Sequence, residues 1–127
     1  MENRAIESAD MPRALGPYSQ VVQVGDLLFV AGQPGIDPAT GSVPDGGFEA
    51  EARRAFLNLA DVLGAAGSGM DRVAKTTVFM SDAANFAAMN ALYGEFFPSN
   101  APVRSTPIVS LPRNLQISIE AIAVTRG

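Results

Sequence analysis

The sequence predicts an α+β fold in which two helices cover a single face of one mixed sheet. Two stretches have apolar residues at helical spacing, and each has only one apolar stripe, so each can cover only one sheet face. The other apolar segments are short and rich in β-branched and aromatic residues, which is typical of strands. A chain of 127 residues has the length of one domain. We therefore expect residues 1–127 to form one domain.

The N-terminal part of the chain predicts a hairpin followed by a long loop. Residues Ser19 to Val30 are mostly apolar and are interrupted by Gly25-Asp26, which favours two strands joined by a tight turn. A short strand is also expected near Arg4 to Glu7. The stretch Gly32 to Gly47 is rich in glycine and proline and predicts a loop. A loop of that length inside a compact domain is often functional.

The first helix is predicted at Phe48 to Ala66, where apolar residues recur every three or four positions. Glu49 and Glu51 fall in its first turn, where the helix dipole favours negative charge. Gly67 follows as the expected stop.

The second half of the chain predicts a strand, a helix and two further strands. Val73 to Met80 has strand composition, and a helix capped by Ser81 or Asp82 is expected to reach Phe97. Arg104 to Leu111 and Gln116 to Val124 are expected to pair as the last two strands, which makes six strands in all. Neither face of the last strand is polar, and this favours an oligomer.

The composition excludes several kinds of chemistry. The chain has no histidine, cysteine or tryptophan, and Lys75 is its one lysine. This excludes Ser-His-Asp triads, Cys-His pairs, the usual zinc sites and most Schiff-base mechanisms, and no spacing of acids suggests a metal. A net charge of −4 argues against nucleic acid as a partner. No apolar run is long enough to span a membrane and no signal peptide is present, so we expect a cytoplasmic protein.

Arg104 and Glu120 are the charged residues that fit least well with a purely structural role. Arg104 opens a strand of small and aliphatic residues, and it is either a solvated strand-end arginine or the bidentate anchor of a carboxylate. Glu120 interrupts an apolar strand, and it either faces solvent or lines a site in which it orients water or transfers a proton.

Asn90 and Tyr18 are two further candidates. Asn90 lies among apolar residues of the second helix, where we expect its amide to tie the helix to a loop; a ligand contact is the alternative. Tyr18 follows a Gly-Pro turn and either packs over that turn or forms the wall of a pocket with a free hydroxyl.

Six segments occur in order along the chain: GPYSQ (16–20), AGQ with its DPATG turn (31–41), KTTVFMSD (75–82), NFAAMNALYGEFF (85–97), PVRST (102–106) and LPRNLQISIEAIAV (111–124). Together they resemble the reactive-intermediate deaminase family, RidA/YjgF. The resemblance extends over nearly the whole chain.

The resemblance implies a chorismate-mutase-like fold, a homotrimer with sites between subunits, and no cofactor. It implies hydrolysis of 2-imino acids and their enamine tautomers, which pyridoxal-phosphate dehydratases produce, to 2-keto acids and ammonia. Arg104 would pair with the substrate carboxylate, Glu120 would position or activate water, and Tyr18 would line the cleft. Other wall or support residues would be Thr106, Asn90 and the backbone at Gly32. Such an electrophilic substrate needs orientation, a proton donor and water rather than a strong nucleophile.

The chain departs from the family pattern at three positions. Ala31 replaces a frequent serine, and Thr106 replaces a frequent cysteine, so a hydroxyl stands where the thiol is common. Pro107 removes a backbone donor, so its segment is expected at a sheet edge or a bulge.

Two alternative functions remain. The first is a non-catalytic trimer that binds keto acids or amino acids, which the missing hydroxyl at position 31 motivates. The second is an RNA-cleaving translation inhibitor, which the acidic net charge disfavours.

Overall fold

A computed structural model describes all residues from Met1 to Gly127 as one six-stranded mixed sheet with two helices on one face. The strands are β1 (Asn3–Ile6), β2 (Val21–Val24), β3 (Leu27–Pro34), β4 (Val73–Met80), β5 (Val103–Ser105) and β6 (Ile117–Val124). The helices are α1 (Gly47–Ala65) and α2 (Phe86–Phe96). The predicted fold class is confirmed.

The strand order is β1-β2-β3-β6-β4-β5. The hairpin of β2 and β3 turns at Gly25-Asp26 as predicted, with Gly25 at a positive φ of 59°. The predicted pairing of the last two strands is wrong. β6 lies between β3 and β4, and β5 pairs in parallel with β4 at the sheet edge. Two strands that are neighbours in sequence need not be neighbours in the sheet, and the apolar pattern does not specify the partner.

The two helices begin and end close to their predicted positions. α1 ends in a Schellman motif, in which the N–H of Ser68 donates to Leu63 O and that of Gly67 donates to Gly64 O. Gly67 takes the left-handed conformation there, with φ of 81°. Asp82 caps a short 3₁₀ turn (Ala83–Asn85) that leads into α2. Neither helix is long and apolar enough to cross a lipid bilayer.

The core lies between the helices and one face of the sheet. Residues Ile117, Ile119, Ala121 and Ala123 of β6 alternate into this core, where Phe56 and Leu59 of α1 meet them. The opposite face, here called the open face, has no covering layer. Leu27 and Phe29 lie on it with about 40% of their surface exposed (42% and 41%). The open face is therefore exposed in the isolated chain and includes large apolar side chains.

Candidate functional site

Arg104 lies on the edge strand β5, and its side chain extends over α2. Its parallel partner is Thr76 of β4, whose side chain is buried against α2, so Arg104 points toward the helix-covered side of the sheet. The guanidinium carbon lies 4.7 Å from the centroid of the Tyr93 ring and 5.6 Å from that of Phe86. These are cation–π distances. Arg104 is thus held on aromatic rings rather than extended into solvent.

No acidic side chain pairs with Arg104. The chain has four ion pairs, and the cation in each is Arg53, Arg54 or Arg126. The one acceptor within hydrogen-bond reach of Arg104 is the sulfur of Met89, 3.8 Å from Nη1. A thioether sulfur is a weak acceptor. The partly buried guanidinium therefore keeps most of its N–H donors free for an external anion.

The ring of Tyr93, on α2, lies beneath the Arg104 guanidinium and is itself held in place by its neighbours. Its hydroxyl lies 2.6 Å from Thr76 Oγ1, and its ring packs against Phe56 and Phe97. Burial raises the pKa of Tyr93 above the ordinary 10.0, while the hydrogen bond to Thr76 and the charge of Arg104 oppose that rise. The phenol is consequently neutral at physiological pH.

Glu120 lies on the open face, in the middle of the sheet. It pairs with Thr77 of β4, and with Lys75 and Phe29 it lines a shallow cavity of about 170 Å³. Its side chain is exposed and forms no ion pair within the chain. The carboxylate is therefore accessible to a ligand or to another chain.

Tyr18 and Gly32 line a second cleft, of about 370 Å³, together with Ser118 and the segment that precedes β6. The Tyr18 hydroxyl accepts a hydrogen bond from Leu15 N (3.1 Å), which leaves its own proton free to donate. Gly32 lies where the register of β3 shifts against β6, and a Cβ there would come within 2.7 Å of Ser118 Oγ. The Tyr18 ring also packs beside Gly16, so it lies over the Gly-Pro turn as well as in the wall of the cleft.

The expected structural tie at Asn90 is wrong. Asn90 is exposed and forms no hydrogen bond within the chain. It lies one residue after Met89 and four residues after Phe86, and both of those side chains contact Arg104. The buried tying amide is instead Asn58 of α1, which donates to Pro34 O and Ile36 O. Helical spacing could not distinguish the two asparagines, because each lies beside apolar positions.

The three departures from the family pattern have clear structural positions. Thr106 is partly buried directly after β5. Pro107 falls in a gap between the β5 ladder and the bridge of Ile108 to Met80, so its predicted place at an irregular sheet edge is confirmed. Ala31 lies at the register shift of β3, where its N–H donates to Gln20 O (2.8 Å).

Sequence reasoning missed the buried polar residues that hold the walls of the cleft. Glu51 is buried and accepts hydrogen bonds from the backbone N–H and side chain of Gln116 (2.6 and 3.0 Å), just before β6. Gln33 is buried and donates to Gln20, which in turn donates to Pro12 O in the N-terminal segment. The AGQ motif contained the signal for Gln33, whereas nothing in the helical pattern separated Glu51 from Glu49.

A single chain does not bring Arg104 and Glu120 together. Thr76, the partner of Arg104, is also opposite Ala121, whose side chain enters the core. Glu120 is adjacent to Ala121 and points to the other face. Two strand spacings, about 10 Å, also separate β5 from β6. No group of three or more acidic side chains is placed to share a metal ion.

Comparison with known proteins agrees with the fold and shows the family. The family model described as Endoribonuclease L-PSP matches residues 8–125. Human 2-iminobutanoate/2-iminopropanoate deaminase is 40% identical over 122 residues, which cover 95% of this chain and 89% of that protein. The Escherichia coli YjgF gene product superimposes with a TM-score of 0.89 at 39% identity, over 97% of this chain and 99% of that one. E. coli TdcF, solved with bound serine, gives a TM-score of 0.88 at 37% identity, over 95% and 98%.

The α+β fold is thus shared with the E. coli YjgF gene product, and 40% of the aligned residues are identical to those of an enzyme named as an imine deaminase. The chain belongs to the RidA/YjgF family, whose members the Endoribonuclease L-PSP model describes.

Proposed function

We propose that this protein is a cofactor-independent imine deaminase that hydrolyses 2-imino acids and their enamine tautomers to 2-keto acids and ammonia. The observation that supports it most is the partly buried guanidinium of Arg104, which has no acidic partner in the chain. The names of relatives at about 40% identity support the same reaction class. The substrate class is therefore a small molecule with a carboxylate next to a C=N bond.

Arg104 binds the substrate carboxylate in this proposal. A planar guanidinium offers parallel N–H donors that match the two oxygens of a carboxylate. The rings of Tyr93 and Phe86 contact the guanidinium without accepting these strong hydrogen bonds. The imine carbon is then held at a fixed distance from the anchor, which is the orientation that hydrolysis needs.

Glu120 positions the attacking water and accepts its proton. Water adds to the imine carbon and gives a proton to Glu120 while the imine nitrogen takes one from Tyr18, which forms the carbinolamine. Glu120 then returns its proton to nitrogen, the carbinolamine hydroxyl gives its proton back to Tyr18 as the C–N bond breaks, and ammonia and the keto acid leave. An enamine first takes a proton on carbon and loses one from nitrogen, and so becomes the imine. The Tyr18 hydroxyl has a free proton to donate, since its oxygen already accepts from Leu15 N. These steps require no group beyond carboxylate, phenol and water.

The complete site is formed between copies of the chain, in a homotrimer. Arg104 and Glu120 lie on opposite faces of the same sheet, so a second subunit must supply one of them. The exposed apolar open face, with Leu27 and Phe29, offers a surface for such contact. Asn90, Thr106 and the backbone at Gly32 would line this site. Asn90 follows Met89, which contacts Arg104, Thr106 lies two residues after Arg104, and Gly32 lines the cleft of Tyr18.

A second candidate function is binding without turnover. Ala31 motivates it, since the position has no hydroxyl, and TdcF was solved with bound serine. Thermal stabilisation by a keto acid or an amino acid, without any hydrolysis, would support this alternative.

The endoribonuclease description of the family suggests a third function, RNA cleavage. The net charge of −4 and the lack of histidine argue against it.

The test is a coupled assay in which a threonine dehydratase generates the imine and keto-acid release is followed. Wild-type protein should accelerate release, and Arg104→Ala should lose most of that acceleration. Arg104→Lys should also be poor, because an ammonium group lacks the bidentate geometry. Arg4→Ala, on β1 at the opposite sheet edge, is the matched control and should retain the wild-type rate. Absence of acceleration by the wild type would refute the proposal.

A further inference from the structure

The contact between Arg104 and Tyr93 is built into the fold. Thr76 and Arg104 are register partners on neighbouring strands, so their side chains leave the sheet side by side on the same face. Tyr93 of α2 meets both: its hydroxyl lies 2.6 Å from Thr76 Oγ1, and its ring centroid lies 4.7 Å from the Arg104 guanidinium carbon. The three side chains form one connected unit between the sheet edge and the helix.

The Tyr93 ring is fixed from several directions. It is 7% exposed, packs edge-on against Phe56 with centroids 5.9 Å apart, and lies 4.6 Å from Phe97. A ring held in this way has one orientation available, and its face sets the position of the cation above it. Arg104, by contrast, has a long side chain that would lose much rotamer freedom on binding a ligand.

We propose that Tyr93 is a positioning residue for carboxylate recognition, in which its ring holds the Arg104 guanidinium in a binding orientation before the ligand arrives. Thr76 anchors the ring through its hydroxyl, and the more exposed ring of Phe86 provides a secondary contact. This inference rests on the proposed function, since it assumes that Arg104 binds a carboxylate. Preorganisation of this kind increases affinity by reducing the ordering cost of binding.

The effect should fall on binding rather than on the chemical step. The carboxylate does not change its bonds during hydrolysis, so Arg104 contacts it equally in the ground state and in the transition state. Loss of such uniform binding raises KM and leaves kcat nearly unchanged. A residue that only stabilised the fold would lower the amount of active protein and would not change the KM of the folded fraction.

The test compares Tyr93→Leu, Tyr93→Phe and Phe96→Leu. Tyr93→Leu removes the ring, Tyr93→Phe keeps it, and Phe96→Leu removes an α2 ring that stacks on Phe56 instead. The probe is 2-oxobutanoate, whose affinity is measured by calorimetry, and the uncharged 2-oxobutanamide is the comparison ligand.

We expect Tyr93→Leu to weaken 2-oxobutanoate binding and to raise KM by about tenfold, which is the effect of losing a desolvated cation–π contact. Tyr93→Phe and Phe96→Leu should stay within about threefold of the wild type, and 2-oxobutanamide should not distinguish the variants.

Phe86→Leu gives a second measurement if Tyr93→Leu does not fold. Phe86 is 42% exposed, so its truncation should be tolerated, and a rise in KM of about threefold is expected. The inference is overturned if folded Tyr93→Leu, or Phe86→Leu in its place, binds 2-oxobutanoate as tightly as the wild type does, or if kcat falls while KM is unchanged. A wild type that neither binds 2-oxobutanoate nor hydrolyses the imine would instead refute the proposed function, and this inference with it.

Discussion

The carboxylate of Glu51, buried near the start of α1, accepts hydrogen bonds from both the backbone N–H and the side-chain amide of Gln116. Gln116 directly precedes β6, and its carbonyl accepts a hydrogen bond from Ser81 N. The first helix is therefore tied to the strand that bears Glu120. The same tie holds the segment before β6, which lines the cleft of Tyr18.

Replacement of Glu51 should destabilise the fold strongly. Glu51→Ala leaves the partly buried N–H of Gln116 without an acceptor, and we expect the free energy of unfolding to fall by about 2–3 kcal/mol. Chemical denaturation measures this value. The control is Glu49→Gln in the same helix, whose exposed side chain forms an i,i+4 ion pair with Arg53 and should contribute under about 0.5 kcal/mol. Equal losses for the two variants would contradict a specific role for the buried carboxylate.

A methyl group at Gly32 should disturb the junction of β3 and β6. The Cβ of Gly32→Ala would come within 2.7 Å of Ser118 Oγ, so the hydroxyl of Ser118 must rotate away or the two strands must separate. We expect a loss of about 1 kcal/mol in the free energy of unfolding, at the low end of the range for overpacked sites. The double variant with Ser118→Gly removes the clashing atom and should recover much of this loss, apart from the cost of glycine in a strand. A double variant less stable than Gly32→Ala would show that the Ser118 contact is not the cause.

Stability should depend on the ionisation of Tyr93 at alkaline pH. Burial raises the pKa of this phenol, so the folded protein holds its proton more tightly than the unfolded chain does. The free energy of unfolding is unaffected by this group below the ordinary pKa of 10.0 and decreases as pH rises from there through the folded-state pKa. Urea unfolding at increasing alkaline pH should show a shallower decline for Tyr93→Phe than for the wild type. An equal decline in the free energy of unfolding for Tyr93→Phe and the wild type would contradict this prediction.

Sequence patterns predicted the elements well and their partners less well. Local periodicity located α1, β4 and the hairpin turn at Gly25, because these depend on residues close together in the chain. The partner of β5 and the burial of Glu51 depend on contacts between distant segments. Glu51, for example, is 65 residues from Gln116. No local rule indicates such a contact.

In the candidate site too, local motifs were informative and contacts between distant segments were not. The ordered motifs predicted catalytic or binding roles for Arg104, Glu120 and Tyr18, and none of the three forms an ion pair within the chain. The rings beneath Arg104 were missed, because Phe86 and Tyr93 have the same helical spacing as ordinary core residues. Only the parallel register of β5 with β4 shows that the arginine lies above them.

Under the proposed function, Arg104 and Glu120, on opposite faces of one sheet, act on the same substrate because neighbouring subunits each supply one of them. The most direct measurement is activity in mixed oligomers of Arg104→Ala and Glu120→Gln, refolded together and purified through a different tag on each chain. In a trimer with sites between neighbours, each mixed oligomer contains one complete site, so about one third of wild-type activity should return. Mixed oligomers that contain both chains and are no more active than either variant alone would contradict the claim.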